Sequence, residues 1–209
     1  MRISRVIGAA VFKVRHRHLF DDELHRGRLE QIADRFAGKR VALIGNASSI
    51  FETGNGTAID SHDVVVRLNR GRVIDASRQG TRTEVLCVAN RLPMAEANEM
   101  FGTPHIIWVS PKRELMDASM TGSVDCFPIC EWRRLYELMG ARRPSAGLIS
   151  LFMLREMFAP AAITLFGFDW KTTKTFFHKD KRLSWHDWDG ERELIAKWIA
   201  ADTRLAHVK

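Results

Sequence analysis

The feature that most constrains the fold is a series of short apolar runs that alternate with helix-like segments, each run having the length of a buried strand. The runs lie at residues 40–44, 64–66, 84–88, 105–109, 124–127 and 162–166. Helical periodicity marks residues 21–36, 94–100, 131–139, 146–157 and 191–201. This order predicts one α/β domain of Rossmann-like architecture, with a mostly parallel, twisted sheet and helices on both faces.

The length and the cysteines limit the organisation of the chain. A chain of 209 residues fits one domain, which we divide into an N-terminal segment and helix at 1–38 and an α/β domain at 39–209 that is expected to carry the functional site. Three cysteines without metal-type pairing argue against a disulfide framework and are typical of a reducing cytoplasm. A closed zinc site needs four ligands, so we predict no metal from them.

The charge balance favours an anionic partner. With 32 basic and 25 acidic residues the net charge is +7, which suits nucleic acid, an anionic membrane or a phosphorylated substrate. No basic helix interleaved with aromatic residues stands out, so nucleic acid is the weak interpretation.

The N-terminal segment contains an apolar run at 6–14 between basic residues, too short to span a bilayer. Two interpretations stay open: the segment packs on the core, or it contacts an anionic membrane surface. The expected location is the cytoplasm, and the second interpretation adds peripheral contact with the inner face of the membrane.

In a parallel sheet, ligands bind beyond the carboxyl ends of the strands, and the loop after residue 44 has suitable chemistry. Gly45 allows a close backbone approach, while Asn46 and Ser48 offer neutral donors at the start of a predicted helix. These residues can seat a phosphate or a ribose, although a plain strand-to-helix turn explains them equally well. The loop matches neither the phosphate-loop nor the dinucleotide-binding fingerprint.

A second region begins at Pro144 and opens an apolar helix. Ser145 is a natural N-cap, and Gly147 leaves space above the helix N-terminus. If this terminus faces Asn46, one anion receives two sets of donors. The simpler alternative, which composition alone favours, is that the region only starts a core helix.

A third region, at 176–191, combines two histidines, His178 and His186, with the carboxylates of Asp187, Asp189 and Glu191. A histidine can act as a base near neutral pH. Asp189 is the predicted N-cap of the final helix, with Glu191 in its first turn. A rival interpretation makes Asp187 and Asp189 an Asp-x-Asp clamp that holds Mg²⁺ or Mn²⁺ with a nucleotide diphosphate.

Taken in order, these regions resemble the motifs of the sialyltransferase family of CMP-sugar-dependent glycosyltransferases. Residues 41–69 resemble the long motif, and 80–83 resemble its end. Residues 144–168 resemble the short motif, usually Pro-Ser-Thr-Gly with a later Gly-Phe. His186 and Glu191 match the very short motif, a His and a Glu separated by four residues.

The resemblance implies a variant of the GT-A glycosyltransferase fold and a set of site residues. His186 would be the catalytic base and Glu191 its structural or orienting partner. Asn46 and Asn69 would hold the CMP phosphate and ribose. The full donor site implied is Gly45, Asn46, Ser48, Asn69, Ser145, Ala146, Gly147 and His178. His178 stands for an additional histidine near the phosphate, although its spacing to His186 is shorter than expected.

Two departures from the family pattern refine the expectation. Animal members pair a cysteine of the long motif with one of the short motif, and neither region carries a cysteine here. This favours a reduced, bacterial-type relative. Ala146 replaces the usual threonine, which removes one hydroxyl from the donor site.

The implied reaction is an inverting transfer without metal or cofactor. His186 would remove the proton of an acceptor hydroxyl, which attacks the anomeric carbon of a CMP-activated 2-keto sugar acid, either sialic acid or Kdo. Charge and analogy suggest an anionic bacterial surface glycan such as lipopolysaccharide as acceptor. Two other classes stay open: a metal-dependent transferase using Asp187 and Asp189, and a non-catalytic basic module for nucleic acid or membrane.

Overall fold

The computed structural model of the chain describes residues 2–177 and 186–208. Its strands are β1 Arg40–Ile44, β2 Val64–Leu68, β3 Val85–Val88, β4 His105–Trp108, β5 Asp125–Cys126, β6 Ala162–Phe166 and β7 Leu205–Val208. They form one sheet in the order β5-β4-β3-β2-β1-β6-β7, and each neighbouring pair is parallel. The prediction of a parallel α/β sheet is confirmed.

Helices connect the strands. They are α1 Arg2–Arg15, α2 Asp22–Ala33, α3 Gly56–Asp60, α4 Ala76–Gln79, α5 Met94–Phe101, α6 Ile129–Leu138, α7 Ala146–Glu156 and α8 Trp188–Ala201. Short 3-10 turns occupy Arg17–Phe20, Ser48–Glu52, Arg113–Leu115 and Ala118–Met120. None of the helices in residues 2–177 and 186–208 has the length and apolar character needed to cross a bilayer.

The core lies on both faces of the sheet, because successive strand residues point to opposite sides. On one face Val41 and Leu43 pack with the buried residues of α2, α6, α7 and α8. On the other face Ala42 and Ile44 pack with Ile50 and Ile59, and Leu86 packs with the buried side of α5. The expected helices on both faces are therefore confirmed.

The strand order reverses at β1. From β1 the chain winds outward through β2 to β5, then returns to place β6 on the other side of β1. In open α/β sheets this reversal separates the loops that follow the two central strands and leaves a crevice at their carboxyl ends. The loops after β1, β2 and β6 therefore meet at one edge.

The structure differs from the sequence-based expectations at three places. The predicted helix at 21–36 ends at Ala33, and the edge strand β7 was not predicted. Helix α8 begins at Trp188 because Asp187 is its N-cap, with the carboxylate accepting the Gly190 N–H at 3.1 Å. The prediction that Asp189 is the N-cap was wrong.

Candidate active site

The loops after β1 and β6 are in backbone contact at the bottom of a cleft. The N–H of Gly45 donates to the carbonyl of Phe166 at 2.7 Å. A Cβ at Gly45 would lie 2.2 Å from the carbonyl oxygen of Gly167, which itself has φ +66°. Only glycine fits at position 45, because the Gly167 carbonyl group and the ring of Phe168 occupy the space of any side chain.

Two asparagines lie side by side along this edge, as the strand order requires. The Asn46 amide donates to the carbonyl of Leu68 at 2.9 Å and so fastens the β1 loop to the end of β2. Asn69 follows β2 with φ +51°, and its amide oxygen accepts the N–H of Ala89 at 2.8 Å. Both side chains line the cleft.

The start of α7 forms the opposite wall. Ser145 caps the helix, its hydroxyl oxygen accepting the N–H of Leu148 at 3.2 Å. A Cβ at Gly147 would lie 2.8 Å from the ring of Phe168, so the absence of a side chain lets this ring pack on the first turn. The predicted N-cap is confirmed, whereas the space that the missing side chain of Gly147 leaves is filled by the ring of Phe168.

Glu191 joins α8 to the start of α7. Its carboxylate accepts the Ser145 N–H and the Ser145 hydroxyl, each at 2.6 Å. The side chain is only 2% exposed, and burial raises the pKa of Glu191 to about 7 although both hydrogen bonds act to lower it. Glu191 thus contacts the helix cap, and its role as a structural or orienting partner of His186 stays a prediction.

His186 is held in a defined tautomer. Its Nδ1 lies 2.9 Å from the carbonyl oxygen of Arg143. Because a carbonyl can only accept, Nδ1 carries the proton and the lone pair of the neutral ring is at Nε2. Burial lowers the pKa of His186, which favours this neutral form. The ring lies edge-on to Trp188, with centroids 5.1 Å apart.

One cleft of about 1410 Å³ brings most of the predicted site together. Its lining includes Gly45, Asn46, Asn69, Ser145, Ala146, Gly147, His186 and Glu191. Ser48 is not among the lining residues, and its hydroxyl donates to the carbonyl of Lys174 at 2.7 Å. His178 lies outside the described residues, so its predicted role stays a prediction.

Sequence reasoning named no site residue in the segment that lines one side of the cleft after the Gly-Phe of the short motif, residues 169–175. Asp169 organises it, since its carboxylate accepts the Thr173 N–H at 2.9 Å and the Ser49 hydroxyl at 3.1 Å. In the sequence, the aspartate directly after Gly167-Phe168, Asp169, was the signal that could have indicated this segment.

The two aspartates near His186 are arranged for other tasks than binding a metal. Asp187 caps α8, and Asp189 is 81% exposed and forms an ion pair with Arg192 at 2.9 Å. Within residues 2–177 and 186–208, no three His, Cys, Asp or Glu side chains are grouped as metal ligands would be. The geometry therefore does not favour the Asp-x-Asp clamp.

Comparison with known protein families finds a match. A model of glycosyltransferase family 29 (sialyltransferase) matches residues 17–105, a range that contains the whole of the long motif. The resemblance to the sialyltransferases is confirmed. With the family match and the fold in agreement, the prediction of a glycosyltransferase is also confirmed. No curated protein sequence matches the chain.

Solved sialyltransferases share the fold. One is a mammalian sialyltransferase in complex with Gal-beta-1-3GalNAc-ortho-nitrophenol, with 15% identity and a TM-score of 0.62 over 96% of this chain and 85% of that chain. Another is CstII from Campylobacter jejuni in complex with cytidine-5'-monophosphate, with 12% identity and a TM-score of 0.52 over 82% and 80% of the two chains.

Two charged residues in the segment that resembles the long motif stabilise a loop outside the cleft. Arg67 is buried under the loop at 79–83, where its guanidinium donates to the carbonyls of Arg82 at 3.0 Å and Gln79 at 2.8 Å. Asp60 accepts the N–H of Thr81 at 2.9 Å. These two charged side chains hold the loop beside β2 and are not among the residues that line the cleft.

Proposed function

We propose that the chain transfers a sugar from a CMP-activated donor to a hydroxyl group of a glycan, in a single displacement that inverts the anomeric centre. The observation that carries this proposal is the position of His186, in its Nδ1–H tautomer, in the same cleft as Asn46, Asn69 and the start of α7. The CMP bound to the similar CstII supports the choice of nucleotide.

The donor phosphate has suitable partners at two places. The first turn of α7 directs backbone N–H groups outward, and an eleven-residue helix adds the positive end of its dipole. Ser145 caps this turn by binding Leu148. Asn46, on the loop after β1, lines the same cleft, and its amide donates to the carbonyl of Leu68. Such preorganised donors stabilise charge that develops on a leaving group.

His186 supplies the base for the displacement. Its Nε2 takes the proton of the acceptor hydroxyl as the acceptor oxygen forms a bond to the anomeric carbon. The bond between that carbon and the phosphate oxygen breaks, and its electron pair leaves with CMP. Glu191 keeps the cap of α7 in place beside the base, through its two hydrogen bonds to Ser145. The protein groups that this mechanism requires are all side chains and backbone groups of this chain.

The charge of the cleft supports an anionic sugar and an anionic acceptor. Its cationic lining residues are Arg70, Arg91, Arg143, Lys171 and Lys174, whereas its acidic ones are Asp169 and Glu191. We infer a donor carrying a 2-keto sugar acid, sialic acid or Kdo, and an anionic bacterial surface glycan such as lipopolysaccharide as acceptor. Together with the net charge of +7, this lining suits carboxylates and phosphates.

A cytoplasmic location with peripheral membrane contact belongs to the same proposal. Helix α1 presents exposed apolar side chains, Val11 at 60% and Val14 at 79%, next to exposed Lys13 and Arg15. Apolar residues flanked by cations suit an anionic bilayer surface. Binding to vesicles with anionic lipid, and no binding to zwitterionic vesicles, is the expected result. Equal binding to both would contradict it.

The first test is nucleotide binding, measured by calorimetric titration with CMP, UDP and GDP, each with and without Mg²⁺. We expect CMP to bind most tightly and without dependence on Mg²⁺. Binding of UDP or GDP only with Mg²⁺ would support the metal-dependent alternative. Steeply salt-dependent binding of nucleic acid, with no affinity for CMP, would support the non-catalytic module.

The second test separates chemistry from binding. His186→Asn should lower kcat by a factor of about 10² to 10⁴, the usual contribution of a general base, while CMP affinity stays near that of the wild type. Because burial lowers the pKa of His186, the wild-type kcat should begin to fall only below pH 6.5. Wild-type kcat in His186→Asn would refute the catalytic role.

A further inference from the structure

Lys171 brings a cation next to the proposed base. It lies in the 169–175 segment that lines the cleft, and its ammonium contacts the hydroxyl of Thr175. The same ammonium lies 5.4 Å from the centroid of the Trp188 ring. His186 packs against that ring as well, at 5.1 Å. The Lys171 ammonium and the His186 imidazole therefore both contact the indole ring of Trp188.

The backbone at Lys171 is held in an unfavourable conformation. Trp170 has φ +51° and Lys171 has φ +67°, two consecutive left-handed residues of which neither is glycine. L-residues adopt this region only when their surroundings impose it, and such residues cluster at functional sites. Here Asp169 accepts the Lys171 N–H at 3.0 Å, and the Trp170 ring packs on His207 at 4.9 Å.

Lys171 differs from two other cations of the cleft in its acidic neighbours: the Asp169 carboxylate interacts with its charge without forming an ion pair with it. Arg70 forms an ion pair with Glu96 at 2.8 Å, and Arg91 forms one with Asp117 at 3.0 Å. In the described parts of the chain, no ion pair within 4.0 Å joins the ammonium of Lys171 to an acidic side chain. Lys171 is thus a cation in the cleft, with a strained backbone and without an ion pair in the described residues. Such a side chain suits an anionic group of the ligand.

We propose that the ammonium of Lys171 binds the phosphate of the CMP donor, beside His186, and stabilises the charge that grows on it during transfer. This proposal rests on the proposed function. The phosphate of a CMP-sugar carries one negative charge, and the CMP that departs carries up to two. A fixed cation therefore interacts more strongly with the transition state than with the bound donor.

Lys171 also acts on the base. The pKa of His186 is lowered first by burial, and the positive charges of Arg143 and Lys171 lower it further, while the hydrogen bond to the Arg143 carbonyl raises it. Removing the ammonium should raise the pKa of His186 and move the acid limb of the kcat profile to higher pH. A side chain with only a structural role would not cause this change.

The experiment compares Lys171→Met with Lys171→Arg, using the exposed Lys197→Met on α8 as a control for net charge. Calorimetric titration with CMP and with cytidine, which lacks the phosphate, measures how much the phosphate contributes to the binding affinity. We expect Lys171→Met to lose about tenfold to hundredfold in CMP affinity, the range of a charge-assisted hydrogen bond, and to keep its cytidine affinity. Lys171→Arg should recover part of the loss, and Lys197→Met should match the wild type.

Two outcomes would overturn the assignment. One is unchanged CMP affinity and an unchanged pH profile in Lys171→Met. The other is an equal loss of CMP and cytidine affinity with a lowered Tm, which would make Lys171 structural. The wild type separates the two proposals: if it binds no CMP the proposed function itself fails, whereas binding by the wild type and by Lys171→Met alike rejects only the phosphate contact.

Discussion

Replacement of Glu191 by glutamine should change the way stability depends on pH. The buried carboxyl receives two hydrogen bonds from Ser145, and a glutamine of the same shape keeps a carbonyl oxygen for the N–H and a polar group for the hydroxyl. What glutamine removes is the ionisation. Glu191→Gln therefore isolates the free-energy cost of a buried negative charge from the contacts around it.

The magnitude follows from the pKa of Glu191, raised by burial from an ordinary 4.5 to about 7. A carboxyl with a higher pKa in the folded state holds its proton more tightly there, so its contribution is fully present below pH 4.5 and is lost as the pH rises through 7. The shift corresponds to about 3 kcal/mol. The free energy of unfolding of the wild type should decrease by this amount between pH 4.5 and pH 7, and that of Glu191→Gln should not.

Urea unfolding of both proteins at a series of pH values measures the effect. The stability difference, variant minus wild type, should increase by about 3 kcal/mol between pH 4.5 and pH 8, while other titrating groups cancel in the subtraction. Glu193→Gln, an exposed position of the same helix, is the control and should show no such trend. A difference that stays constant with pH would refute the argument.

Two further predictions concern parts that support the cleft. Gly45→Ala should lower the Tm and the yield of folded protein, because its Cβ would meet the Gly167 carbonyl oxygen at 2.2 Å; Gly27→Ala, with no atom within 4 Å, should leave Tm unchanged or raise it. Arg67→Met should reduce the free energy of unfolding by about 3 kcal/mol, since the buried carbonyl of Gln79 and the partly buried carbonyl of Arg82 lose their donors. The exposed Arg35→Met should change it little, and an equal effect of both would contradict the network.

Periodicity predicted the fold because buried parallel strands are continuous apolar runs that differ plainly from helical patterns. It missed β7, Leu205–Val208, because only Leu205 of this edge strand is buried and the histidine at 207 interrupts the apolar run. It also placed the start of α8 at the wrong aspartate. Asp187 and Asp189 are equally suited to capping, and neither periodicity nor composition distinguishes the two.

The candidate site was predictable where a residue follows a strand directly, as Gly45, Asn46 and Asn69 do, since the sheet brings these positions together. It was not predictable where a contact joins distant segments. Glu191 contacts Ser145 across 46 positions in the sequence, and the burial of its carboxyl depends on that contact. The segment that carries Lys171 is irregular, so no periodic pattern marked it.

The attachment of both His186 and Glu191 to the short stretch 143–145 has a consequence for redesign. His186 binds the carbonyl of Arg143, and Glu191 binds the serine that starts α7. A substitution that shifts this helix to admit a bulkier nucleotide would also move the His186 imidazole. The imidazole would then be misaligned with the acceptor hydroxyl whose proton it removes. Redesign for a new donor is better directed at cleft residues such as Asn90 and Ser110, which lie in the loops after β3 and β4 rather than in the stretch 143–145.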